Sequence, residues 1–402
     1  MTLRLTTDEQ AMLAGEAGPG AQKAMEIVVA LGQIYGAADL VPVASVQVSG
    51  VSYKNLGDAG LEFLQDWAAQ GAQARVPATL NPAGMDRLAW RALGFSEEFA
   101  QRQEAVIAAY EALGITPTCT CTPYLVGHVP QFGQHLAWAE SSAVSYANSV
   151  LGARTNREDG PSALAAAIAG RTARYGLHLD GSRLPTAVVD VRCPVTAGAD
   201  LGALGYLVGR RVKNGVPYFR FADLRLDLTD CKSLGAAMAA SGAVALYHVE
   251  GLTPEAAAME PHGGVQHLVI DDLAPGYAAL NGPAEQVDLV SLGCPHASLA
   301  EVEAIAAYLE GRQVTAALWI TTARAIRQAA EETGLVARIE AAGGRVVADT
   351  CLVVAPVAEL SFRTLATNSA KMAVYAPSHC GLSVRFGTMQ QCLEAAVTGR
   401  WS

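Results

Sequence analysis

Apolar positions in this chain gather into short continuous runs separated by alanine-rich stretches. The runs are TAVVDV (186–191), AVALYHV (243–249), VDLVSL (287–292), VTAALWI (314–320) and RVVADT (345–350). Apolar side chains occupy both alternating sets of positions, the pattern of strands covered on both faces. The intervening stretches 21–35, 97–113, 161–171, 232–241, 298–310 and 322–334 read as helices. Strands that alternate with helices predict an α/β protein of mostly parallel sheets covered by helices. A chain of 402 residues has room for about two or three lobes. Gly-, Pro- and Asp-rich loops near 192–200 and 272–286 divide it into expected lobes 1–192, 193–285 and 286–402.

Composition narrows the function classes. Apolar residues make up 51% and charged residues 16%, so the surface is sparsely charged and the helices pack closely. A net charge of −10 opposes nucleic-acid binding, which needs a basic patch. The N-terminus, MTLRLTTDEQAMLAG, has no basic segment followed by an apolar one, so it is not a signal peptide. No run approaches about 18 apolar residues, so no membrane span is expected. The expected compartment is therefore a reducing cytoplasm, where the eight cysteines are free thiols or ligands rather than bridges. No GxSxG, HExxH or Walker A motif occurs. GEAGPG (15–20) has no strand before it and lacks the dinucleotide-binding order, so it reads as a helix start.

The cysteines carry the chemistry. Cys294, in VDLVSLGCPHAS, is expected at the carboxyl end of a strand, with Gly293 allowing a turn and Pro295 opening a helix capped near Ser298. A helix N-terminus there would favour thiolate. Cys351, in RVVADTCLVVAP, follows another strand end. Cys121, in TCTCTPY (118–124), leaves a helix and enters a loop. Three thiols at separate strand ends can meet in one cleft and hold an iron centre that keeps one position open. A closed zinc site would show CxxC spacing, which is missing. Free cysteine is also a common core residue. Cys193, Cys231, Cys380 and Cys392 read that way, Cys380 being the strongest of the four as a ligand. His296 is placed beside the chemistry as a supporting group rather than a ligand.

Polar residues concentrate at 139–162, AESSAVSYANSVLGARTNREDGPS, either a solvated loop or a pocket lining. QVSGVSYKNLGDAG (47–60), ATLNPAGMDR (78–87) and LATNSAKMAVYAP (365–377) supply further turns and Lys371.

Together, CTPYLVGHVPQFGQHLAWAESSAVSYANSVLGARTNRE, SLGCPHAS, DTCLVV and TNSAKMAVYAPS resemble the large subunit of the aconitase X family, from about residue 6 to 398. The resemblance implies a multi-lobed aconitase-like fold and a hydro-lyase. It matches Cys121, Cys294 and Cys351 to the ligands of iron or an iron–sulfur cluster (mononuclear, 2Fe–2S or 4Fe–4S), with Cys121 preferred over its neighbour Cys119 by distance to the ESS triplet. It matches Gly50, Val51, Ser52, Asn81 and Pro82 to substrate contacts, Glu140 and Ser141 to pocket residues, and Lys371 to a partner for a substrate carboxylate. The family run TNREGGPS reads TNREDGPS here, with Asp159 in place of glycine. The resemblance further implies a small subunit with a swivelling domain and a serine base, and no such region is found before the terminal GRWS.

Two substrates fit the family: cis-3-hydroxy-L-proline, dehydrated to Δ1-pyrroline-2-carboxylate through its enamine, and phosphomevalonate. The alanine and glycine content and the lack of a visible phosphate cradle favour hydroxyproline. A nicotinamide-dependent dehydrogenase is opposed by the missing fingerprint loop. A non-catalytic iron-binding subunit is the remaining reading of another class.

Overall fold

The computed structural model describes residues 3–196, 198–261 and 263–402. Among the described residues, fourteen strands form four sheets. In chain order they are β1 (Leu40–Pro42), β2 (Val46–Val48), β3 (Ala78–Leu80), β4 (Ala137–Trp138), β5 (Arg171–Ala173), β6 (Ala187–Val191), β7 (Pro217–Phe221), β8 (His248–Val249), β9 (Gln266–Ile270), β10 (Leu289–Ala297), β11 (Ala317–Thr322), β12 (Arg345–Ala348), β13 (Thr364–Thr367) and β14 (Ser383–Phe386). A small antiparallel ribbon pairs β1 with β5. The other three sheets, ordered β3-β2-β4, β8-β7-β6-β9 and β12-β11-β10-β13-β14, are wholly parallel.

The predicted helices are observed at Pro19–Ile34, Glu97–Ala112, Gly160–Ala169, Cys231–Gly242, Leu299–Tyr308 and Arg324–Glu332. GEAGPG does start a helix, with Gly18 as its cap and Pro19 in its first turn. Among the apolar runs, 243–249 gives only the two-residue β8. The run 287–292 extends as β10 through Cys294 and Pro295 to Ala297, with a register break after Leu292. The expected helix start at Pro295 is therefore displaced. The helix begins at Leu299, where Ser298 and Glu301 form a reciprocal capping box.

Alanine and glycine serve close packing. Helices Ala199–Val212 and Cys231–Gly242 lie so near that a Cβ on Gly242 would stand 2.0 Å from the Gly209 carbonyl oxygen. Core side chains from the first lobe form one cluster around Met25, Trp67 and Ile107. Another gathers around Phe219, Met238 and Phe386 and also takes in Phe95, Phe99 and Val150.

Strand order locates the crevices. In each parallel sheet the connections run one way and then reverse: between β2 and β4, between β6 and β9, and between β10 and β13. Ligands of open α/β sheets bind outside the carboxyl ends of strands at such reversals.

Candidate active site

Two of these reversal points face one another. In the first sheet, β2 leads to Gly50 and β4 to Glu140. In the third, β10 carries Cys294 and β13 leads to Ser369 and Lys371, at the start of helix Ala370–His379. Thr350 bridges Ala83, and the Ala83 N–H donates to the Asp349 carbonyl at 2.8 Å. The substrate turn expected at Asn81–Pro82 is thus joined to the segment carrying Cys351.

Lys371 and Glu140 form a buried ion pair across the lobes, and the Lys371 ammonium also donates to the Ser142 hydroxyl at 3.2 Å. Burial opposes the lysine's charge, but the Glu140 carboxylate and the nearby Cys294 and Cys121 outweigh it and raise its pKa. For Glu140, burial works against ionisation and the ammonium prevails, leaving the carboxyl below its ordinary range. Its second oxygen accepts from the Ser142 N–H at 2.7 Å, which caps helix Ser141–Ser149. Ser141 heads that helix with its side chain nearly buried.

Cys294, Cys351 and Cys121 lie within electrostatic reach of one another. The neighbouring Cys351 thiol, with help from the Lys371 charge, lowers the Cys294 pKa to about 7 despite burial. The cause is the neighbouring thiol, not the helix terminus expected from sequence. Cys351 is shifted well upward by the neighbouring Cys294 and by burial, and burial pushes Cys121 up to about 12. Cys119 has other company, with Asp349, Arg87, Glu104 and Arg324 as its charged neighbours.

His296 ties the three cysteine segments together. Its Nε2 faces the Thr350 carbonyl at 2.8 Å and so carries the proton, while Nδ1 accepts from the Thr120 hydroxyl at 2.9 Å. Its backbone N–H donates to Cys121 Sγ at 3.2 Å. Burial lowers its pKa to about 4, so the ring is neutral.

The remaining expected residues have their own local settings. Gly50 has φ 81, a left-handed turn that suits glycine. The carbonyl of Val51 accepts from buried Gln103 at 2.9 Å. Ser52 gives its hydroxyl to the Val354 carbonyl at 2.7 Å, a link between lobes. Asn81 is held by its N–H to the Val48 carbonyl at 2.9 Å, and its Oδ1 is buried without a partner. Asp159, at φ −92, caps helix Gly160–Ala169 through the Ser162 N–H at 2.7 Å, so a carboxylate replaces glycine without strain. Cys380 lies near the Leu352 carbonyl at 3.5 Å, and Cys231 and Cys392 are buried in the cores.

Sequence reasoning missed several supports. Arg324 grips Asp86 and Asp349 together, while the second Asp86 oxygen accepts from Ala348 N–H at 2.8 Å. Thr120 was visible only as the residue between Cys119 and Cys121, and Ser369, which helps lower the Cys294 pKa, only as the neighbour-but-one of Lys371. Tyr124, three residues beyond Cys121, is buried with its hydroxyl unpartnered and stacks on Tyr146 at 3.9 Å between ring centres.

Among the described residues no group of three or more His, Cys, Asp or Glu side chains stands ready-formed around a metal ion. The donor chemistry nevertheless fits an iron or iron–sulfur group. Cys121, Cys294 and Cys351 lie within electrostatic reach of one another, one of them easily ionised, and Asn81 Oδ1, Tyr124 OH and Thr350 Oγ1 are buried without partners. Among the described residues no helix is long and apolar enough to cross a membrane.

Comparison with known proteins extends the geometry. Residues 2–181, 185–279 and 287–398 match the family models for the Aconitase X first, second and third domains. The chain is 53% identical to the phosphomevalonate dehydratase large subunit of Methanothermobacter thermautotrophicus, over 94% of this chain and 95% of that protein. It is 36% identical to the cis-3-hydroxy-L-proline dehydratase of Hypocrea jecorina, over 99% of this chain but 69% of that protein. The crystal structure of Thermococcus kodakaraensis aconitase X in its holo-form superposes with a TM-score of 0.90 at 46% identity, covering 98% of this chain and all of the other.

Proposed function

The chain belongs to the aconitase X family as the large subunit of a dehydratase, a hydro-lyase, and we propose that its substrate is phosphomevalonate. The observation that carries the reading is 53% identity across nearly the whole of a phosphomevalonate dehydratase large subunit, against 36% to a hydroxyproline enzyme of which the chain covers 69%. This reverses the preference drawn from composition. Glycine and alanine in this chain serve helix contacts such as Gly209 on Gly242 and carry no information about substrate.

The reaction removes a proton α to the carboxylate and hydroxide from the β-carbon, leaving the α,β-unsaturated acid and water. Cys121, Cys294 and Cys351 would hold iron or an iron–sulfur group, which when bound supplies a Lewis acid for the departing hydroxide. Lys371 neutralises the substrate carboxylate, and so stabilises charge developing as the α-proton leaves. Glu140 keeps that lysine protonated, and Ser142 fixes its direction. Asn81 Oδ1 and the Ser141 hydroxyl offer hydrogen bonds to the polar groups of the substrate. The base for the α-proton belongs to a small subunit, the partner that the name of the Methanothermobacter relative implies.

Reconstitution with a small subunit under anaerobic conditions, followed by parallel assays on phosphomevalonate and cis-3-hydroxy-L-proline, tests the reading. Turnover of phosphomevalonate is expected, with at least about tenfold preference in kcat/KM. Turnover of hydroxyproline alone would reject it.

A further inference from the structure

A phosphorylated hydroxy acid brings two anionic ends to the site, and Lys371 can answer only one. The other cations around the thiols are already engaged. Lys54 donates to the carbonyls of Val353, Ala355 and His379. Arg87 is paired with Glu104, Lys232 with Glu301, and Arg324 with Asp86 and Asp349. Arg157 differs from all of these. It is exposed and makes no ion pair or side-chain hydrogen bond among the described residues, yet its charge reaches buried Glu140.

Its position is suited to a ligand that extends outward from the centre. Arg157 lines a cleft of about 400 Å³ together with Ser49, Ala139, Gly160 and Tyr175. Ser49 precedes the Gly50 turn and Ala139 precedes Glu140, so the cleft abuts the substrate-facing edge of the first lobe. Of its two acidic residues, Glu158 is buried and Asp159 is exposed, with one oxygen engaged. Glu158 is held by the hydroxyls of Ser162 and Thr172, and Asp159 caps its own helix. A planar guanidinium without a partner, at the mouth of an anionic-substrate site, matches phosphate in both charge and fork geometry.

We propose that Arg157 recognises the distal phosphate of the substrate, from the cleft between the Gly50 turn and helix Gly160–Ala169. This rests on the reading of the chain as a phosphomevalonate dehydratase.

The test uses the reconstituted two-subunit enzyme with Arg157→Gln and Arg157→Lys. KM for phosphomevalonate is expected to rise about 10- to 100-fold in Arg157→Gln, with a much smaller rise in Arg157→Lys and a far smaller change in kcat. Inhibition by inorganic phosphate should weaken in parallel, while iron content and co-elution with the small subunit stay at wild-type levels. An unchanged KM, a kcat collapse at constant KM, or loss of subunit assembly in Arg157→Gln would each overturn the assignment. A wild-type enzyme that ignores phosphomevalonate overturns the functional reading itself, whereas one that uses it with an indifferent Arg157→Gln variant overturns the role of Arg157 alone.

Discussion

Among the described residues, two ion pairs have both side chains buried, and they are finished to different degrees. Arg183 is fully enclosed against Glu255, bonded through Nε at 3.0 and 2.9 Å. Its remaining N–H groups go to Asn148 Oδ1 and to the carbonyls of Leu177, Asn148 and Ala153, all within 3.0–3.2 Å. The Lys371–Glu140 pair has only Ser142 beside it, with three thiols and several unpartnered polar atoms in the neighbouring segments. A saturated pair fixes segments of chain in place and has nothing left to bind. An unsaturated one retains capacity for a ligand, and the desolvation already spent on it makes each new contact strong.

The largest effect should come from breaking the unsaturated pair. Lys371→Met in the reconstituted enzyme is expected to lower kcat about 10²- to 10³-fold. Glu140 can then take up a proton while the Ser142 N–H and hydroxyl still hold it, so thermal stability should fall by only a few degrees. Steady-state kinetics with parallel thermal scans would decide this. Near-normal turnover, or a variant that does not fold, would mean that the pair is structural after all.

The saturated pair should respond the opposite way. Arg183→Met leaves Glu255 charged and buried and strands three carbonyls, a loss of about 3–5 kcal/mol. Pairing it with Glu255→Leu should recover only part, because those carbonyls stay without donors. Urea unfolding of both variants gives the comparison. Full recovery in the double variant would show that the carbonyl contacts contribute little, and lost activity per folded molecule would remove the contrast with Lys371.

The contrast also marks what could be read from sequence. The α/β class was legible because β6, β10, β11 and β12 are apolar runs separated by helices. β4 and β8 have two residues each, too short for any periodicity. The site was legible only as far as the resemblance reached. From residue types alone Lys371 is a surface lysine and Ser52 an ordinary turn residue. Nothing local foretold that His296 would join Thr120, 176 positions earlier, to Thr350, 54 positions later. Nor did anything foretell that Cys351 would be the neighbour lowering the Cys294 pKa. Partners of that kind are chosen by tertiary packing, after the strands have assembled.

The smallest effect concerns the wall around Arg183, where the imidazole of His178 is buried against His135, Nδ1 to Nδ1 at 2.9 Å. Burial, then the charges of His135, Arg183 and Arg154, lower its pKa from 6.5 to about 3. The folded ring stays neutral where the unfolded chain takes up a proton. Its contribution to stability is therefore complete above about pH 6.5 and is lost as the pH falls toward 3, at about 1.4 kcal/mol per pH unit for this one group. Between pH 7 and 5.5 the wild type should lose about 1 kcal/mol more than His178→Gln, measured by urea midpoints at both pH values. Equal losses would mean that water reaches the ring in the folded protein, and that the wall around Arg183 is less closed than the saturated pair requires.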